Sequence, residues 1–174
     1  MKKKVLPVIV AILLILVIGG CALGKVLLDK YSYSKEEADW NEFYQVSEND
    51  RSAIILQNEM VEEQALIKDG VCYFDLATVH KYMNEVFYAD MTENLLLYAT
   101  PTEVIRTSFG ETAYTTTEGT QEAGYVISFA DGDNVYVAAD YVKLFTNYSY
   151  ECYDRHVQVN TEWGIRQVAQ LKKD

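Results

Sequence analysis

One instruction is written twice in this chain, and that repetition limits the folds open to it. "DGVCYFDLATVHKYMN" begins at Asp69, and "DGDNVYVAADYVKLFTN" begins at Asp131. An Asp-Gly pair tolerates the positive φ of a tight hairpin turn. A β-rich run follows each turn: Val71 to Phe74 in the first copy, Val135 to Val137 in the second. Leu76, Val79 and Met83 then fall on one face of a short helix, as Ala139, Val142 and Phe145 do later. Asp75 stands at the N-cap position. Asn84 and Asn147 stand where a left-handed residue ends a helix, with Asn replacing the usual Gly. Each copy closes on an aromatic hairpin: "VFYAD" and "LLLYAT" around "MTEN", then "YSYECY" and "HVQVN" around Asp154-Arg155. Between Tyr73 and Phe87 the offset is a constant 63: Tyr73, Val79 and Asn84 recur as Tyr136, Val142 and Asn147. Tyr82 matches Phe145, and Phe87 matches Tyr150.

A single β-β-α-β-β unit exposes an apolar helix face and an apolar sheet face that it cannot cover alone. Two such units laid together bury both. The expected fold class is α+β: two related β-β-α-β-β units packed as one domain, preceded by a single N-terminal transmembrane helix. That helix is read from residues 5–24, "VLPVIVAILLILVIGGCALG", which hold no charge. Twenty helical residues span about 30 Å, the thickness of a bilayer's hydrocarbon core. Lys2, Lys3 and Lys4 precede it, so the N-terminus is expected in the cytoplasm and residues 29–174 outside, on a cell membrane. Two other readings of the segment stay open. One is a cleaved secretory signal. The other is lipidation at Cys21, since "VIGGC" has the form of a lipobox.

The expected organisation is residues 1–28 as leading lysines and anchor, 29–52 as a juxtamembrane stalk, and 53–174 as the duplicated module. The stalk is read as helical around "SKEEADWNEFY", with Ser34 and Glu37 in capping-box spacing. Between the copies, "EVIRTSF" reads as a strand and "AYTTTEGTQEAGY" as a hairpin turning at Gly119. The terminal "TEWGIRQVAQL" reads as a last strand. Three cysteines are too few for a disulfide scaffold. Cys72 and Cys152 are each read first as small buried strand residues, with a bridge between them as the alternative.

The pattern of DG turn, strand-to-helix step, helix stop and aromatic hairpin resembles the copper amine oxidase N-terminal-like domain over residues 53–170. That family places Gly at the helix stop and Pro before the helix. Here Asn84 and Asn147 take the first position, and Asp75 and Ala138 the second. The order of lysine-led segment, "DKYSYSKEE" and "FYADMTENLLLYATP" is similar to the N-terminal region of clostridial cell-surface proteins of glycoside hydrolase family 18. The resemblance implies a non-catalytic supporting module at the front of such an enzyme. The D-x-x-D-x-D-x-E cluster of family 18 chemistry is not in this chain.

The residues support that restraint. Net charge is −11, and beyond the three leading lysines 12 basic residues face 26 acidic ones. Such a domain repels nucleic acid phosphates. Two histidines, His80 and His156, sit in different parts of the repeat, so no metal site and no cofactor are expected. His80 would sit on the helix and Cys72 before it, but nothing in the pattern orients them as a nucleophile and its base. Fourteen tyrosines are the richest feature. Tyr88, Tyr98, Tyr148, Tyr150 and Tyr153 lie on or beside the closing hairpins, where flat rings could stack on sugars. The competing reading is that they fill the core. Expected partners are the membrane through the anchor, and a cell-wall glycan or a surface protein; nucleic acid is excluded.

Overall fold

The computed structural model describes residues 24–28, 30–31, 39–46, 48–162 and 164–166. Two compact units result, Met1–Ala38 and Asp39–Asp174. In the first, residues 24–28 and 30–31 are helical. In the second, helix α1 is Trp40–Tyr44. Strands β1 (Arg51–Leu56), β2 (Glu59–Lys68) and β3 (Val71–Asp75) follow, then helix α2 (Leu76–Tyr82). Next come β4 (Phe87–Asp90), β5 (Leu95–Ala99), β6 (Val104–Ser108), β7 (Ala113–Thr116) and β8 (Gly119–Glu122). The second copy is β9 (Ser128–Asp131), β10 (Asn134–Ala138), helix α3 (Ala139–Leu144), β11 (Ser149–Cys152) and β12 (His156–Asn160).

This corrects the expected class. The two β-β-α-β-β runs are present, but their helices are two turns or less, and the strands form two sheets. The protein is mainly β, not α+β. The transmembrane expectation is corrected as well: among the described residues no helix is long and apolar enough to cross a membrane. The single-pass assignment, with residues 29–174 outside, is withdrawn with it. Residues 5–23, which carried that reading, lie outside the described residues, as do Cys21, Ser34 and Glu37. Asp39 caps the described helix α1, accepting from the Asn41 and Glu42 N–H groups at 2.9 and 3.4 Å. The expected last strand is not one: residues 162 and 164–166 are helical.

Local chemistry explains the elements that match expectation. The β2–β3 turn has Asp69 at φ 52° and Gly70 at φ 78°, the positive pair that a type I′ hairpin needs. In the β9–β10 turn Gly132 (φ 60°) bends while Asp131 stays in the strand. Asp75 Oδ1 accepts from the Ala77 N–H at 2.7 Å and starts α2. Ala138 has no side chain to cap α3; burial of Ala139, Tyr141 and Val142 holds that helix instead. Asn84 and Asn147 are not left-handed. α2 stops because Met83 leaves helical geometry (φ −124°, ψ −64°), and Asn84 Oδ1 then accepts the Val86 N–H at 2.9 Å.

Sheet A has the order β11-β12-β1-β2-β3-β10-β9, and sheet B is the meander β4-β5-β6-β7-β8. The copies join in sheet A through antiparallel β3 and β10, with Tyr73, Phe74 and Asp75 opposite Ala138, Val137 and Tyr136. The offset of 63 turns this register onto itself. A pseudo-twofold axis therefore passes between Phe74 and Val137. Sheet A also curls. β11 and β3 have three strands between them, which in a flat sheet is about 19 Å. Yet the rings of Tyr150 and Phe74 meet at 6.3 Å.

One core serves both copies. Phe74 and Val79 of the first share it with Val137, Tyr141 and Val142 of the second. Ile54, Val157 and Val159 of sheet A, and Phe87 and Leu96 of sheet B, complete it. Full burial of each such side chain contributes roughly 1.5–3 kcal/mol.

Candidate functional site

The helices α2 and α3 end side by side near the pseudo-twofold axis, and two cross-copy hydrogen bonds tie the ends. Asn84 Nδ2 donates to the Phe145 carbonyl at 3.2 Å, and the Tyr148 hydroxyl donates to the Tyr82 carbonyl. Tyr82 and Phe145 are equivalent positions in the repeat, so each copy accepts from the other at the same place. Beyond these bonds opens a groove of about 810 Å³.

Its aromatic wall comes from Tyr98, Phe145 and Tyr148. Tyr98 stacks on Phe145 at 4.4 Å with 26° between the planes, which fixes both rings. Burial pushes the Tyr148 hydroxyl above its ordinary range, so it stays a neutral donor. Polar groups ring the wall: Asn84, Asn147, Thr146, Glu103 and Glu162. Asn147 Nδ2 donates to Glu162 Oε2 at 3.3 Å, and Arg166 donates to the other oxygen of Glu162. Thr117 Oγ1 donates to Glu103 Oε1 at 3.4 Å. Helix carboxyl ends and two carboxylates make this groove unfavourable for an anion. Amides, hydroxyls and carboxylates beside fixed rings suit an uncharged polyol.

The five tyrosines singled out above do not form one row. Tyr98 and Tyr148 share the groove. Tyr88 points away from it on β4, 59% exposed, because Phe87 takes the buried side of the strand. Tyr150 lies edge-on to Phe74, with Lys143 Nζ 5.9 Å from its ring. Burial, and then the neighbouring Asp140 carboxylate, push the Tyr150 hydroxyl up.

Tyr153 belongs to a second, smaller cleft of about 250 Å³. There Trp40, Tyr44, His156 and Tyr153 stack in sequence: Trp40–Tyr44 at 6.0 Å, Tyr44–His156 at 4.8 Å, His156–Tyr153 at 4.6 Å. Sequence reasoning missed Trp40 and Tyr44, although their i, i+4 spacing on a helix was a readable signal. It also read Asn84 and Asn147 only as helix stops, and passed over Glu103 and Glu162.

His80 Nε2 is 2.6 Å from the Phe87 carbonyl and pins α2 to β4. Among the described residues no group of three His, Cys, Asp or Glu side chains is arranged to hold a metal.

Comparison with known proteins adds no relative: no family model, no curated protein and no solved structure matches this chain.

Proposed function

We propose that this protein is a non-catalytic glycan-binding module whose ligand lies in the groove between the two helix ends. The observation that carries the proposal is the rigid Tyr98–Phe145 stack set beside Tyr148 and ringed by the Asn84 and Asn147 amides. Sugar rings present C–H faces to aromatic planes and hydroxyls to amides and carboxylates. A volume of about 810 Å³ falls in the range of small-molecule sites, enough for a short oligosaccharide. The resemblance to the copper amine oxidase N-terminal-like domain supports the same role, as an accessory that positions a glycoside hydrolase on its substrate.

The test is retention of the purified protein on peptidoglycan and on chitin, with chito-oligosaccharide titration followed by NMR. Asn147 is exposed and replaceable, and Asn147→Ala is expected to weaken binding about tenfold, the worth of one well-made polar contact. No retention on either polymer overturns the proposal.

A second reading, a protein-interaction module, draws on the α1 cleft. Trp40 in that cleft and Phe43 beside it on α1 are 55% and 64% exposed. Under that reading Trp40→Ala abolishes capture of a protein partner and leaves glycan retention unchanged.

A further inference from the structure

We propose that Cys72 and Cys152 are a disulfide-forming site that staples curled sheet A shut and takes its oxidising equivalents from a small-molecule disulfide. The geometry comes first. β3 and β11 lie four positions apart in the sheet order, yet Phe74 on β3 and Tyr150 on β11 meet edge to face at 6.3 Å and 79°. Side chains two residues apart on a strand share a face. Cys72 therefore stands beside Phe74, and Cys152 beside Tyr150, on the two surfaces that the curl brings together. The pairing of β11 with β12 agrees. Cys152 lies opposite Val157 and Tyr150 opposite Val159, and both valines are buried on the core side.

Both cysteines are free thiols, and each thiol shifts the titration of the other. The neighbouring Cys152 thiol and burial push the Cys72 thiol up, while the Cys72 thiol holds Cys152 below its ordinary range. Exposure divides the labour. Cys72 is 4% exposed, whereas Cys152 is open to solvent. The Cys152 thiolate attacks one sulfur of the small disulfide, breaks its S–S bond and expels a thiolate. Cys72 then attacks the Cys152 sulfur of the mixed disulfide and expels the second thiolate. The two protons lost by the cysteines go to the two departing thiols. One small disulfide is reduced to two thiols, and one protein disulfide is formed.

The experiment uses the full chain incubated with oxidised glutathione, quenched with an alkylating agent, digested and mapped by mass spectrometry. A linked Cys72–Cys152 peptide is expected, with a melting temperature about 10 °C above that of the reduced protein, since the bridge closes a long loop. Cys152→Ser is expected to leave Cys72 as an unmodified thiol. Cys72→Ser is expected to trap Cys152 as the glutathione mixed disulfide. Should Cys72→Ser fail to fold, the wild type and Cys152→Ser still decide. A wild-type map in which Cys72 remains alkylated and unlinked overturns the proposal, whether or not Cys152 carries glutathione.

Discussion

The two copies of the repeat run through the same five elements and deliver their last hairpin to different places. β4–β5 founds sheet B, pairing onward with β6. β11–β12 returns to sheet A, where β12 lies parallel to β1. The cause is what comes next in the chain. After β5, Pro101 sits at the second position of a tight turn in which the Thr100 N–H donates to the Glu103 carbonyl at 2.8 Å. That turn sends β6 straight back along β5. After β12 the chain turns helical at residue 162 instead of running back as a strand, and β1 takes the β12 edge.

The contrast sharpens at equivalent positions. Thr78 and Tyr141 are separated by the repeat offset and both are buried. Tyr141 touches Phe145 at 5.1 Å, Tyr114 at 5.3 Å and Phe87 at 6.2 Å, bridging its own helix to sheet B. Tyr141→Ala is expected to cost about 3–5 kcal/mol in urea denaturation. A loss no greater than that of Thr78→Ala would remove the asymmetry claimed for the two helices.

The next effect in size concerns capping. Asp75 caps α2, whereas Ala138 offers α3 no side chain. Asp75→Ala is expected to destabilise by about 1 kcal/mol. An unchanged urea midpoint would mean that packing holds both helices alike. Thr78 Oγ1 has no hydrogen-bond partner among the described residues. Thr78→Val keeps the shape and deletes that orphan, so a gain of about 1 kcal/mol is expected by the same assay. A loss would reveal a partner for the hydroxyl.

The smallest effect is on pH. Lys81 Nζ donates to Glu63 Oε1 at 2.6 Å and the Tyr82 hydroxyl donates to Oε2 at 2.9 Å, linking α2 to β2. The Lys81 bond holds the Glu63 carboxyl below its ordinary range. A carboxyl depressed in the folded state stabilises fully above its unfolded pKa, and the contribution disappears as pH falls through the folded value. The slope should therefore appear below the ordinary value of 4.5, and Glu63→Gln should flatten it. The exposed pair is screened by solvent and its effect is small. An unchanged acid limb in the variant would assign the slope elsewhere.

Much of the strand order along the chain was legible because it depends on short-range chemistry. Asp69-Gly70 and Gly132 turn their hairpins, Asp75 caps, and the 113–122 hairpin turns near Gly119 as its residues suggest. The class was not legible. Leu76, Val79 and Met83 show a helical face, but nothing in their spacing says that the helix is only seven residues long against twelve strands among the described residues. The sheet division was also hidden, because β1 and β12 meet across a hundred residues. In the site, composition flagged tyrosine without its facing. Tyr88 follows Phe87, and only knowledge of which side is buried sends the first outward and the second into the core. Asn84 was found for the wrong reason: its side chain, not its backbone, does the work, reaching across the pseudo-twofold axis.

The parallel contact between Ala53–Leu56 and His156–Val159 has a consequence for biosynthesis. A chain still leaving the ribosome carries β1 with one bare edge until nearly the last described residues emerge. Closing so long a loop is slow, and an unpaired edge is the part of a sheet that other chains can capture. The danger period for misassembly therefore lasts from the emergence of β1 until β12, about a hundred residues later, clears the exit tunnel.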